Sequence, residues 1–104
     1  MQNKNILISG SNKGIGKEIS LGMSLKGANV ILLGRNSEGL NNTYDLINEK
    51  YNTRPLIIEC DLETLNQTQA TEINNEIISQ YGHLDGLINN ASVLGKMSML
   101  SEYD

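Results

Sequence analysis

The chain has 104 residues, 38% of them hydrophobic, with ten glycines and one proline; this suits one small globular domain and excludes a disordered or fibrous chain. A formal net charge of −4 argues against a general nucleic-acid or anionic-membrane binder, and the eight basic residues form no run. No apolar stretch approaches the ~18 residues of a membrane span, Met1 leads into the first apolar run without room for a signal peptide, and the single Cys60 forms no internal disulfide, so a reducing cytoplasmic setting is expected.

Asn5-Ile6-Leu7-Ile8 is a short apolar run that reads as a buried parallel strand. Ser9-Gly10-Ser11-Asn12-Lys13-Gly14-Ile15-Gly16 follows, and residues 17–25 read as a helix. Strand, glycine-rich turn and helix in this order make a phosphate cradle. Gly10 turns the chain off the strand, Gly14 admits a pyrophosphate close to the backbone, and Gly16 lets the helix pack near the strand. The helix N-terminus adds unpaired N–H groups and about half a positive charge. Ile15, Ile19, Met23 and Leu25 are expected on the inner side of this helix, with Gly22 where the sheet comes close, and Gly27 as its C-cap.

Residues 29–33 form a second apolar run, and Gly34-Arg35-Asn36-Ser37 the next turn. A second helix is expected over 37–51, burying Leu40, Tyr44, Ile47 and Tyr51 and leaving Glu38, Asp45, Glu49 and Lys50 in water. Pro55 ends any helix before a third strand, Leu56-Ile57-Ile58-Glu59, which runs into Cys60-Asp61-Leu62. Thr64-Leu65-Asn66-Gln67 has capping-box spacing and marks the start of a third helix, with Leu65, Ala70, Ile73, Ile77 and Tyr81 inside and Gly82 at its close. Gly86-Leu87-Ile88-Asn89 is a fourth strand; Ser98 or Ser101 begins a helix that the chain does not finish.

Three strand–helix units and a fourth strand imply an α/β fold, a Rossmann-type doubly wound parallel sheet with right-handed crossovers and strand order 3-2-1-4. The site is then expected beside strands one and four, where the order reverses. Strand four would lie at an exposed apolar edge, which proteins usually avoid. The expectation is therefore that residues 1–104 are a single incomplete dinucleotide-binding domain, truncated before the remaining strands of a longer protein.

The glycine spacing is Gly-x-x-x-Gly-x-Gly, not the Gly-x-Gly-x-x-Gly of the common dinucleotide fingerprint. A P-loop would need glycine at position 11 and Ser or Thr at position 18, where this chain has Ser11 and Glu18. About 20 residues beyond the glycines a reader of the adenosine ribose places a carboxylate; here Gly34-Arg35 stands there, and the next acid after it is Glu38. A guanidinium at that place favours a 2′-phosphate, hence NADP(H) over NAD(H), and Lys13 offers a second positive charge. The bland alternative for both is a solvated surface charge. Cys60 reads as a small buried hydrophobe. His83, the sole histidine, has no cysteine or histidine cluster near it, so no metal site is expected. Glu72 and Glu76 read as solvation of the third helix, and no nucleophile–base pair is evident.

A serine or threonine followed by Gly-x-x-x-Gly-Ile-Gly resembles the short-chain dehydrogenase/reductase family, in which basic residues at the places of Lys13 and Arg35 accompany NADP preference. Asp61-Leu62 resembles the family's adenine-contacting turn: the carboxylate accepts from the adenine amino group and the Leu62 N–H donates to the ring. Asn89-Asn90-Ala91-Ser92 resembles the family's Asn-Asn-Ala-Gly, with Ser92 in place of glycine. There Asn89 would tie neighbouring strands, and Asn90 and Ala91 would lie along the ribose and adenosine. Leu94-Gly95 resembles the loop beneath the nicotinamide. The resemblance spans 5–95, and the Ile-Leu-Leu-Gly-Arg-Asn and Leu-Asp-Gly-Leu-Ile-Asn-Asn-Ala runs are most similar to the NADP-dependent 3-oxoacyl-reductase-type branch.

The resemblance implies an oxidoreductase that moves hydride between nicotinamide and a carbonyl or alcohol substrate, homo-oligomeric when full length. Gly10, Ser11, Asn12, Lys13, Gly14, Ile15, Gly16, Arg35, Asp61, Leu62, Asn89, Asn90 and Ala91 are the candidate cofactor-binding residues. The family's catalytic tyrosine, lysine, serine and asparagine would fall beyond Asp104; no tyrosine here is followed four places later by lysine. No residue is therefore assigned as catalytic, and the 104-residue chain alone is expected to be inactive. The alternatives are a non-catalytic nucleotide-binding regulatory module, or another doubly wound protein such as a methyltransferase or a receiver. A receiver would want acids at the end of strand one, where this chain has Ser9-Gly10.

Overall fold

Why β1 (Asn5–Ser9) and β2 (Asn29–Gly34) are almost uninterrupted apolar runs is plain from their surroundings: every residue from Ile6 to Ser9 and from Val30 to Gly34 is buried. A computed structural model describes residues 2–9, 14–35, 37–61 and 64–89. The remaining elements are α1 (Gly14–Leu25), α2 (Ser37–Lys50), β3 (Leu56–Glu59), α3 (Gln67–Tyr81) and β4 (Gly86–Asn89). The four strands are parallel in the order β3-β2-β1-β4, as expected from sequence.

Period-two alternation divides the core between the two faces of the sheet. Leu7, Ile31 and Leu33 face α3, where they pack with Leu65, Ala70, Ile73 and Ile77. Ile6, Ile8, Val30 and Leu32 face the other way, into a second cluster with Leu40 and Ile47 of α2 and half-buried Ile19, Leu21 and Met23 of α1. Leu7, Ile8, Ile31 and Leu32 are wholly buried, each worth roughly 1.5–3 kcal/mol. Apolar runs without alternation are what a sheet covered on both sides requires.

Two helices differ in detail from the sequence expectation. In α1 the residues turned to the sheet are Gly16, Ser20 and Ser24, a row at i, i+4 and i+8, whereas Ile15 and Leu25 are 69% and 70% exposed and Gly22 is exposed too. Small side chains let the helix approach the sheet along that row, and Ile19 and Met23 flank it. The Ser20 hydroxyl is satisfied by donating to the Gly16 carbonyl at 2.8 Å. In α3 the cap is Asn66, not Thr64: its Oδ1 accepts from the Gln69 N–H at 2.8 Å while Gln69 Oε1 accepts from the Asn66 N–H at 3.0 Å. Leu65, just before the cap, is buried against Ala70 in the core and fixes the entry of the chain.

The expected C-caps hold. At the end of α1 the Ala28 N–H donates to the Met23 carbonyl and the Gly27 N–H to that of Ser24, a Schellman motif that needs the positive φ of 94° at Gly27. Gly82 closes α3, donating to the Ile78 carbonyl at 2.9 Å. The α2 face buries Leu40 and Ile47 as expected, together with Thr43, whose hydroxyl donates to the Gly39 carbonyl.

Candidate functional site

Four parallel strands deliver their carboxyl ends to one edge of the sheet. Ser9 lies opposite Leu33 on one side and Asn89 on the other, and Gly34 lies opposite Glu59. Strand order reverses at β1: α1 leaves it over one face toward β2, and α3 reaches β4 from the other face. A reversal of this kind opens a crevice at the carboxyl edge, the usual ligand position in open α/β sheets.

The N-terminus of α1 opens at this edge. Gly14 has φ of 61°, in the left-handed region that glycine enters without penalty, and the first turn carries no acidic residue. Unpaired N–H groups and the positive end of the helix dipole suit an anion there.

Arg35 follows β2 directly and Asp61 follows β3. The Cys60 N–H donates to the Gly34 carbonyl at 2.9 Å, continuing the β2–β3 pairing one step past the strand. That bond sets the two charged residues side by side, with Arg35 Nε 3.9 Å from Asp61 Oδ2 and the side chains 68% and 35% exposed. Cys60 packs half-buried against the α3-side core; burial, aided by the Asp61 charge, pushes its thiol above the ordinary range, as befits an inert side chain. Asn89 ends β4 beside Ser9.

Gly14, Gly16, Arg35, Asp61 and Asn89 are thus all brought to the carboxyl edge or the helix that opens there, and Ile15 stands exposed in the first turn of α1. Gly10, Ser11, Asn12, Lys13, Leu62, Asn90 and Ala91 lie outside the described residues. A helix whose first turn carries no acidic residue and an exposed guanidinium suit the diphosphate and an added phosphate of a dinucleotide.

A polar network at the opposite edge escaped the sequence reading. The Asn5 N–H donates to Asp85 Oδ2, Asn5 Nδ2 to the His83 carbonyl, Asn29 Nδ2 to Asn5 Oδ1, and the Arg54 N–H to Asn29 Oδ1. His83 Nε2 lies 2.9 Å from Asp85 Oδ2. The available signal was an asparagine at the first position of both β1 and β2, where apolar residues follow without a break.

Comparison with known proteins agrees with this fold. The profile of the short chain dehydrogenase family matches residues 4–104, and the chain belongs to that family. It is 37% identical over 97 residues to the uncharacterized oxidoreductase YciK of Escherichia coli strain K12, covering 93% of this chain and 38% of that protein. Human dehydrogenase/reductase SDR family member 7C is 34% identical over 98 residues, covering 89% of this chain and 31% of that protein. Among solved structures, a short chain dehydrogenase of Shigella flexneri 2a complexed with NADP superposes with a TM-score of 0.89 at 28% identity, over 99% of this chain and 52% of that one. The chain thus spans about a third of the curated relatives' length and about half of the solved chain's.

Proposed function

We propose that this chain is the NADP(H)-binding part of a short-chain oxidoreductase acting between nicotinamide and a small carbonyl or alcohol substrate. The observation that carries this is Arg35 at the carboxyl end of β2, on the edge where α1 opens and where a reader of unphosphorylated ribose would place an acid. Solved relatives complexed with NADP and NADPH support the same cofactor. Bound NADP(H) supplies the hydride donor or acceptor.

The chain's own residues hold and orient that group. The α1 N-terminus, with Gly10, Ser11, Asn12, Lys13, Gly14, Ile15 and Gly16, takes the diphosphate. Arg35 takes the 2′-phosphate, Asp61 and Leu62 the adenine, and Asn89, Asn90 and Ala91 the ribose and adenosine. Residues 1–104 act as one dinucleotide-binding domain, and no residue among them is assigned to proton transfer, so this stretch alone is inactive. The Ile31–Asn36 and Leu84–Ala91 runs support a place near the NADP-dependent 3-oxoacyl-reductase-type branch. A cytoplasmic setting stays part of this reading, supported by the single Cys60, and a homo-oligomer at full length is a further part of it, supported by the family's habit of oligomerising.

Thermal unfolding with added nucleotide tests this. A ligand that binds only the folded chain stabilises it by about 2.7 kcal/mol at a hundred times its Kd. NADPH is expected to raise the melting temperature of the full-length gene product saturably and more than NADH does. No shift with either nucleotide would overturn the proposal.

A further inference from the structure

We propose that Asp61 limits how strongly this site prefers a 2′-phosphorylated nucleotide, by keeping a fixed negative charge beside the Arg35 guanidinium. This rests on the NADP(H) reading above and assigns Asp61 a part in specificity beyond any contact with adenine.

The pair is imposed by the backbone. Gly34 and Glu59 are register partners, and the Cys60 N–H to Gly34 carbonyl bond carries the pairing past the strand. Cys60 is anchored in the core below, so the residue after it cannot swing far from the end of β2. The resulting 3.9 Å contact between Arg35 Nε and Asp61 Oδ2 is longer than a hydrogen bond and acts through charge. The arginine side chain stays 68% exposed, so a phosphate reaches it without displacing a buried partner.

A 2′-phosphate is drawn to the guanidinium by bidentate, charge-assisted hydrogen bonds. The same phosphate is repelled by the neighbouring carboxylate. Two unit charges 4 Å apart in water shift an equilibrium by roughly fivefold. A nucleotide without the 2′-phosphate does not feel that repulsion at this position. Asp61 therefore weakens the phosphorylated ligand selectively, and Asn in its place keeps an oxygen able to accept from the adenine amino group.

The test compares adenosine 2′,5′-bisphosphate with AMP, titrated by calorimetry into the full-length gene product, its Asp61→Asn variant and its Asp61→Glu variant. These fragments report on the adenosine side alone, and AMP affinity checks that each variant keeps its site. The ratio of the two affinities is expected to rise roughly three- to tenfold in Asp61→Asn at low salt. It should rise less at about 0.5 M salt and stay near the parent value in Asp61→Glu. An unchanged or lowered ratio in Asp61→Asn, with the parent still favouring the bisphosphate, would overturn this role and leave the cofactor reading intact. A parent that binds both fragments equally would overturn the NADP preference and this role with it.

Discussion

Asn5 and Asp85, eighty residues apart, hold each other by two hydrogen bonds: the Asn5 N–H donates to the Asp85 carboxylate at 2.8 Å, and the Asp85 N–H donates to the Asn5 carbonyl at 2.8 Å. The link joins the entry of β4 to the entry of β1, and the Asn5 and Asn29 amides extend it to β2 and to Arg54 ahead of β3. The entry ends of all four strands are thereby tied at the edge away from the candidate cofactor site.

The Asn5 N–H above all, with the charges of His83 and Lys4, holds the Asp85 carboxyl below its ordinary value despite some desolvation. A carboxyl depressed on folding contributes stability that is present above the unfolded pKa of about 4 and is lost as pH falls through the folded value. Asp85→Asn should therefore be less stable than the parent at pH 7, and the gap should narrow as the solution is acidified below about pH 4. Urea unfolding at both pH values checks this; a gap that does not change with pH would assign the loss to packing instead.

Tyr81 closes a second link near the same edge. Its hydroxyl donates to the Arg54 carbonyl, the Arg54 guanidinium lies 4.9 Å from its ring centre, and Arg54 Nη2 donates to the Gln80 carbonyl at 2.7 Å. Burial, with a smaller push from Tyr44 and an opposing pull from Arg54, raises its phenol to about 12. Phenolate absorbance should show a late-titrating step, and Tyr81→Phe should remove it. The lost hydrogen bond should cost about 0.5–1.5 kcal/mol in urea unfolding.

Ser24 is 2% exposed, and its hydroxyl finds no partner among the described residues. A buried hydroxyl without a hydrogen bond carries an uncompensated desolvation cost, and alanine is the better helix former. Ser24→Ala should leave stability unchanged or raise it by up to about 1 kcal/mol. Ser20, which is bonded to Gly16, gives the contrasting case: Ser20→Ala should not stabilise.

The sheet was legible because β1 and β2 are covered on both faces, which writes their burial into continuous apolar runs. The inner face of α1 was not, since Gly16, Ser20 and Ser24 mark it by smallness and carry no hydrophobic signal. Thr64-x-x-Gln67 and Asn66-x-x-Gln69 both have capping-box spacing; burial of Leu65 ahead of the helix selects the second. Arg35 and Asp61 could each be placed at a strand end from sequence, but only the pairing of Gly34 with Glu59 makes them neighbours. The Asn5–Asp85 link depends on the same kind of long-range register, and no local pattern announces it.

Whether the carboxyl edge takes a dinucleotide whose 2′-phosphate is read by Arg35 is decided by titrating NADPH and NADH into the full-length gene product and its Arg35→Ala variant. The substitution should weaken NADPH binding by about 1.5–3 kcal/mol, the worth of a charge-assisted hydrogen-bonding contact, and leave NADH nearly unaffected. Equal losses for both nucleotides, or no loss for either, would contradict it.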